Sequence, residues 1–216
     1  MVELQNISKA FNEQIVLDHI NLDLNPHRIY GLRGRNGAGK TTLMNIILGI
    51  HAPDEGTVRV LGKDPQHDWQ IRQSIGTLQE EDAYFPELTT TEFLWWVGRL
   101  RGMTDTQSTQ QIKILTEQFY LTHKLDHLIE SLSYGMIRKV LLAAAFMAGP
   151  QILLLDEPSN GLDTDSVDSL RTLLAQHQQK GGTALIISHN QSFIQSICTD
   201  IIVLADGKII PTKEAF

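Results

Sequence analysis

The residues Gly34-Arg35-Asn36-Gly37-Ala38-Gly39-Lys40-Thr41-Thr42 carry the strongest chemical signal in this sequence. They fit the pattern G-x-x-x-x-G-K-[ST]. Gly34, Gly37 and Gly39 let the backbone curl, so that successive N–H groups point inward. A helix opening at the end of the turn adds a positive dipole. Lys40 supplies a point charge for β- and γ-phosphates, and the Thr41 hydroxyl is placed to ligate Mg²⁺. The plain alternative is a glycine turn that binds nothing. With Gly and Lys each at about 6–7% of residues, a chance match in a chain of this length is on the order of one in a hundred. A strand before the turn and a helix after it lower that further, so the turn reads as nucleotide-binding.

A second group is acidic. Ile152-Leu153-Leu154-Leu155-Asp156-Glu157-Pro158 is an aliphatic run ending in two carboxylates. A buried strand that stops at Asp156 sets this carboxylate beside the phosphate turn, where it holds Mg²⁺ directly or through water. Glu157, one residue on, is placed to polarise an attacking water, the step that separates hydrolysis from binding. The bland alternative is a pair of acids capping a strand in solvent. His189 ends another aliphatic run, LIISHN, 33 residues after Asp156. The C-terminal end of a strand in an open α/β sheet is where ligands bind, within reach of a γ-phosphate or the attacking water. Taken alone, one of 8 histidines is more often a surface residue.

These groups need elements to position them. Val2 to Leu24 alternates polar and apolar residues around Asn12-Glu13, which predicts two antiparallel strands and a turn. Short strands follow at Ile29–Leu32, Thr57–Leu61 and Ile75–Leu78, with a helix at Thr41–Leu48. From about Thr90 to Met147 the spacing is helical throughout. The last third alternates again: strands Ile152–Leu155, Ala184–Ile187 and Ile201–Leu204, and helices Ser166–Gln179 and Gln191–Ile197. Asp206-Gly207 predicts a hairpin turn into Lys208–Ile210. The expected class is α/β: a mainly parallel sheet flanked by helices, an N-terminal antiparallel β-subdomain and an inserted α-helical subdomain at about 80–147. No repeat or low-complexity segment is evident.

Composition sets limits. The chain has 216 residues, 42% hydrophobic and 20% charged, which suits one globular domain over 1–216. Its 18 basic and 25 acidic residues leave a formal net charge of −7, so no nucleic-acid partner is expected. The single cysteine, Cys198, reads as a buried structural thiol. The early polar run argues against a signal peptide. The longest apolar window, Val140 to Leu155, is broken by Gly149, Pro150 and Gln151 and falls short of the ~20 residues of a membrane helix.

In this order, the motifs resemble the ATP-binding-cassette (ABC) ATPases, in particular the separate nucleotide-binding subunits of bacterial transporters of exporter-like type. The resemblance spans about Val2 to Ile210. GRNGAGKTT resembles the Walker A turn of a P-loop NTPase core, ILLLDEP the Walker B strand with its catalytic glutamate, and Ser159-Asn160-Gly161-Leu162-Asp163 the D-loop. The resemblance implies that His189 is the switch histidine. It makes Gln79 the Q-loop glutamine that reaches Mg²⁺ and water, and Phe11 the aromatic stacked on adenine. By its residues alone Phe11 reads as core. Leu132-Ser133-Tyr134-Gly135-Met136 resembles the signature LSGGQ, opening a helix Ile137–Met147. Ser133 and the Gly135 backbone then face the ATP of an opposite subunit. The expected assembly is a head-to-tail dimer, with like or unlike partners, that sandwiches two ATPs.

Tyr134 and Met136 depart from the signature, where glycine and glutamine are usual. Met136 and the short C-terminus favour export over import. Residues from Glu80, Glu81 and Asp82 through Tyr84, Phe85 and Pro86 to Gly98 fall where the family contacts its membrane subunit. Trp95 and Trp96 cannot point the same way on one helix; the plain expectation is that both are partly buried in the subdomain, and the alternative is that one packs inward while the other faces a partner groove.

The implied activity is that of an ATPase motor using ATP and Mg²⁺. It would sit peripherally on the cytoplasmic face of the cell membrane beside a membrane-spanning permease subunit. Two alternatives carry less of the pattern. A P-loop kinase has no use for LSYGM, DEPSNGLD and a terminal His189. A non-transport ABC switch protein usually brings coiled-coil arms or a second cassette. The transported substance is not written in these motifs.

Overall fold

A computed structural model of the chain describes residues 1–79 and 84–210; Glu80, Glu81 and Asp82 lie outside the described residues. Two long antiparallel strands, β1 (Val2–Phe11) and β2 (Gln14–Leu24), pair around the Asn12-Glu13 turn. Asn12 and Glu13 both take positive φ, which lets a two-residue connection match the twist of the hairpin. Strand β4 (Glu55–Val60) joins the other edge of β1 antiparallel, completing a three-stranded sheet in the order β2-β1-β4.

The second sheet has six strands in the order β5-β6-β7-β3-β8-β9. These are β3 (Arg28–Arg33), β5 (Ile75–Leu78), β6 (Ile152–Asp156), β7 (Thr183–Ile187), β8 (Asp200–Ala205) and β9 (Lys208–Ile210). All neighbours are parallel except β8 and β9, joined through the Asp206-Gly207 turn. Every residue of β6 and β7 is buried, as expected of a parallel strand covered on both faces. Alternate side chains serve two cores. Leu153, Leu155, Ala184 and Ile186 pack toward the helical region, and Ile152, Leu154, Leu185 and Ile187 toward the N-terminal sheet and helix α1 (Lys40–Ile47).

Three helices fill the insertion: α2 (Thr90–Leu100), α3 (Asp105–Gln118) and α4 (Tyr134–Phe146). Thr89 and Thr104 open α2 and α3 with capping boxes closed by Glu92 and Gln107. Helix α4 is buried from Arg138 to Phe146. It lies so close to β5 that a Cβ on Gly76 would sit 2.0 Å from the Ala145 carbonyl oxygen. Helices α5 (Thr164–Gln179) and α6 (Gln191–Ile197) make the crossovers from β6 to β7 and from β7 to β8.

The strand bounds agree with the sequence within a few residues. The signature helix differs: it starts at Tyr134, not Ile137, because Ser133 caps it by accepting from the Met136 N–H. Cys198 is partly rather than fully buried, and burial pushes its thiol up to about 12, which keeps it protonated and inert. No helix among the described residues is long and apolar enough to cross a membrane.

Candidate active site

The strand order brings three distant segments to one edge. Strands β6, β7 and β3 are neighbours, and all end on the same side of the sheet. The turn after β3, the carboxylates at the end of β6 and His189 beyond β7 therefore converge, as ligand sites do at the carboxyl ends of parallel strands. A cleft of about 540 Å³ is lined by Asn36, Gly37, Gly39, Lys40, Thr41, Thr42, Asp156, Glu157, Asn160 and His189, among others. A second groove of about 1180 Å³ shares Val16, Asn36, Gly37, Lys40 and His189 with it. This groove runs past Gly34, Arg35 and Ala38 to Gln14 and Ile15. All residues of the 34–42 turn line one or the other.

Gly39 caps α1 at φ +98, and a Cβ there would lie 2.8 Å from Leu17 Cδ2 and 2.9 Å from the Val16 carbonyl oxygen. Only glycine meets both demands. No side chain caps α1, so its first N–H groups remain for an anion. The Lys40 ammonium folds back to donate to the carbonyls of Gly34 at 2.9 Å and Arg35 at 3.0 Å. A phosphate oxygen carries a full negative charge and outcompetes these neutral acceptors for the ammonium.

Glu157 is gripped at both carboxylate oxygens. Ser188 Oγ donates to Oε2 at 2.9 Å, and the His189 backbone N–H to Oε1 at 2.7 Å. The His189 ring is 3.9 Å from Oε1, beyond hydrogen-bond reach, and largely exposed. The Glu157 backbone has φ +46, uncommon for a non-glycine residue. Strain of this kind costs about 1–3 kcal/mol and clusters at functional sites. Ser188 was not singled out in the sequence, although it stands beside His189 at the end of the same apolar run. Asn160, another wall of the cleft, lies inside the SNGLD motif.

Thr41 and Asp156 share the cleft and supply hydroxyl and carboxylate oxygens, the donor type that Mg²⁺ takes. Gln79, just past β5, is not among the cleft walls; its side-chain amide donates to Asn45 Oδ1 at 3.1 Å. Phe11 pairs across the hairpin with Gln14, but its ring packs edge-on to His51 with 5.5 Å between centroids and is 41% exposed. Ser133 and Gly135 lie at the start of α4, away from this cleft. There Tyr134 is 66% exposed, and its ring covers Gly161: a Cβ on Gly161 would fall 2.8 Å from Tyr134 Cε1. Lys139 pairs with Asp163 at 2.6 Å. That bond, with the one the Ser166 N–H donates at 2.9 Å, holds the Asp163 carboxyl down at about 2.

The ABC transporter family model matches residues 17–160. The chain is 34% identical over 214 residues to a Nod factor export ATP-binding protein I of Paraburkholderia xenovorans, covering 97% of this chain and 69% of that protein. It is 33% identical over 213 residues to the lipopolysaccharide export system ATP-binding protein LptB of Haemophilus influenzae, covering 96% and 88%. A dimeric post-hydrolysis state of an ATP-binding cassette, bound to ADP and Pi, superposes with a TM-score of 0.88 at 25% identity, covering 98% of this chain and 97% of that one. The chain belongs to the ABC transporter family, in the class of its ATP-binding subunits. It is an ATP-hydrolysing motor subunit built on the P-loop α/β fold.

Proposed function

We propose that this chain works as one of two cassettes that close head to tail on ATP, and that this closure drives a separate membrane permease in export. The grip on Glu157 carries the reading. A carboxylate held by Ser188 and His189 at the wall of a phosphate cleft is oriented for water, not for a structural ion pair.

In this reading the turn N–H groups and Lys40 hold the β- and γ-phosphates. Glu157 accepts the proton of the attacking water, and His189 steadies the γ-phosphate. Thr41 and Asp156 would hold Mg²⁺, and Gln79, whose side chain now meets Asn45, is the third residue assigned to it. When bound, the ion would supply neutralisation of phosphate charge. Phe11 stacks on adenine, a contact of about 1–3 kcal/mol, at the expense of its His51 contact. Ser133 and Gly135 serve the opposite subunit's ATP.

One domain over 1–216 with an insertion at about 80–147 suits this division of labour. Tyr84, Phe85 and Trp96 form an exposed aromatic group in which Phe85 meets Trp96 edge-on at 4.9 Å. Trp95 instead packs on the core with Arg99 over its ring at 4.4 Å. The exposed group is a surface for the permease, which would hold the chain at the cytoplasmic face of the membrane. Export follows the roles carried in the names of the relatives given above, and Met136 agrees with it.

Glu157→Gln is expected to bind ATP and lower turnover by ~10²-fold or more. The same variant should run as a dimer with ATP and as a monomer without it in size-exclusion chromatography with light scattering. Near-normal turnover would reject the base assignment, and a monomer under saturating ATP would reject the paired cassette.

A further inference from the structure

We infer that Arg138 is a positioning residue that ties the signature helix, which serves one ATP, to the catalytic glutamate of the other site. In a dimer Arg138 is then the side chain through which one site acts on the glutamate of the other. The inference rests on the paired-cassette reading.

Arg138 lies in the second turn of α4 and is only 4% exposed. Its guanidinium leaves the helix toward the strand ends. Nη1 donates to the Gln79 carbonyl at 3.2 Å, and Nη2 to the carbonyls of Asp156 at 3.1 Å and Glu157 at 2.9 Å. One nitrogen serves two consecutive carbonyls for a geometric reason. Along a strand, successive carbonyls point to opposite sides, whereas helical backbone of either hand points them the same way. The left-handed turn at Glu157 is what aims both at Arg138.

The catalytic residue is therefore held twice, from different elements. The loop after β7 grips its carboxylate through Ser188 and His189, and α4 grips its backbone through Arg138. The same α4 begins at Ser133, on the exposed face outside this chain's own cleft. Contact of Ser133 and Gly135 with an opposite nucleotide loads the helix at its N-terminus, and Arg138 is the side chain through which that load reaches Glu157 and Gln79. Helix α4 is a rigid, buried lever for the purpose.

The bonding is not what stability alone would select. All three acceptors of these hydrogen bonds are neutral carbonyls, and the Arg138 Nε is buried without a partner. A buried cation satisfied in this way is an expensive means of joining a helix to a sheet.

The test uses the full chain with ATP and Mg²⁺, comparing wild type, Arg138→Met and Arg138→Lys. The Met variant is expected to lose about 10- to 100-fold in kcat, from a loosened Glu157. Its Hill coefficient should fall to about 1, while ATP affinity measured without turnover is unchanged. The Lys variant keeps the charge but not the fork, so it should recover part of the rate. If the Met variant does not fold, the Lys variant carries the test with the same two readouts.

Wild-type kcat and cooperativity in the Met variant overturn the inference. So does a rate loss matched by lost nucleotide affinity with the Lys variant no better, which assigns Arg138 to packing. A wild-type chain that hydrolyses ATP without cooperativity overturns the paired-site reading itself, and the inter-site role with it.

Discussion

Helices α1 and α4 both open on a glycine-containing turn, yet their surroundings differ. The start of α1 is enclosed. Its turn is walled by Asp156, Glu157, Asn160 and His189, and Lys40 is folded onto its own turn. The start of α4 is open. Ser133 is exposed, Tyr134 lies on the surface, and a Cβ placed on Gly135 would fall 2.5 Å from the Gly161 carbonyl oxygen. Both helices offer N–H groups to an anion. Only α1 has the counter-groups needed for chemistry within one chain. The lesson is that an anion-binding helix end becomes a catalytic site through what stands opposite it, and for α4 the proposed opposite wall is that of a second cassette.

Breaking the enclosed end should have the larger effect. Lys40→Ala removes the ammonium that folds back over the turn. Nucleotide affinity is expected to fall on the order of 100-fold, and unchanged binding in calorimetry would reject the cradle.

At the open end the consequence is different in kind. Gly135→Ala forces a Cβ against the Gly161 carbonyl. The expected result is an about tenfold weaker ATP-driven dimer, measured by light scattering on the slow Glu157→Gln background, with nucleotide affinity of the monomer unchanged. Equal losses in both would show that the two ends are not separable.

The smallest effect concerns how α4 is fastened to the loop after β6. Asp163 is held low by Lys139 and Ser166, so its folded-state value lies below its unfolded one. Its contribution to stability is then complete above roughly pH 4 and is lost as the pH falls toward about 2. The carboxylate is more than half exposed, so solvent screens much of the gain. Melting temperatures of wild type and Asp163→Asn should differ modestly at neutral pH and converge in acid. A constant difference across that range would place the stabilisation elsewhere.

The contrast also explains what was legible in advance. The phosphate turn was readable because its requirements are local. Backbone curling, the positive φ at Gly39 and the helix start all fall within the nine residues from Gly34 to Thr42. The acids at Asp156 and Glu157 were readable because a fully buried strand must be aliphatic until it reaches solvent. The spacing predicts the signature helix three residues late, because the Ser133 cap, not the apolar periodicity, sets its start. Arg138 and Ser188 carry no such signal. Neither belongs to a spaced pattern, and each acts on a residue brought near only by the sheet order.

By itself the sequence determined the class of fold, the nucleotide turn, the carboxylate pair and the helical insertion, because each follows from periodicity or spacing within a short window. Only the tertiary structure decided that β3 lies between β7 and β8, that β4 leaves for the other sheet, that Phe11 turns to His51, and that Arg138 grips the backbone of Glu157. Those are contacts between segments far apart in the chain. Which segments meet is set by burying two faces of one sheet at once, a condition on the whole molecule that no local run of residues contains.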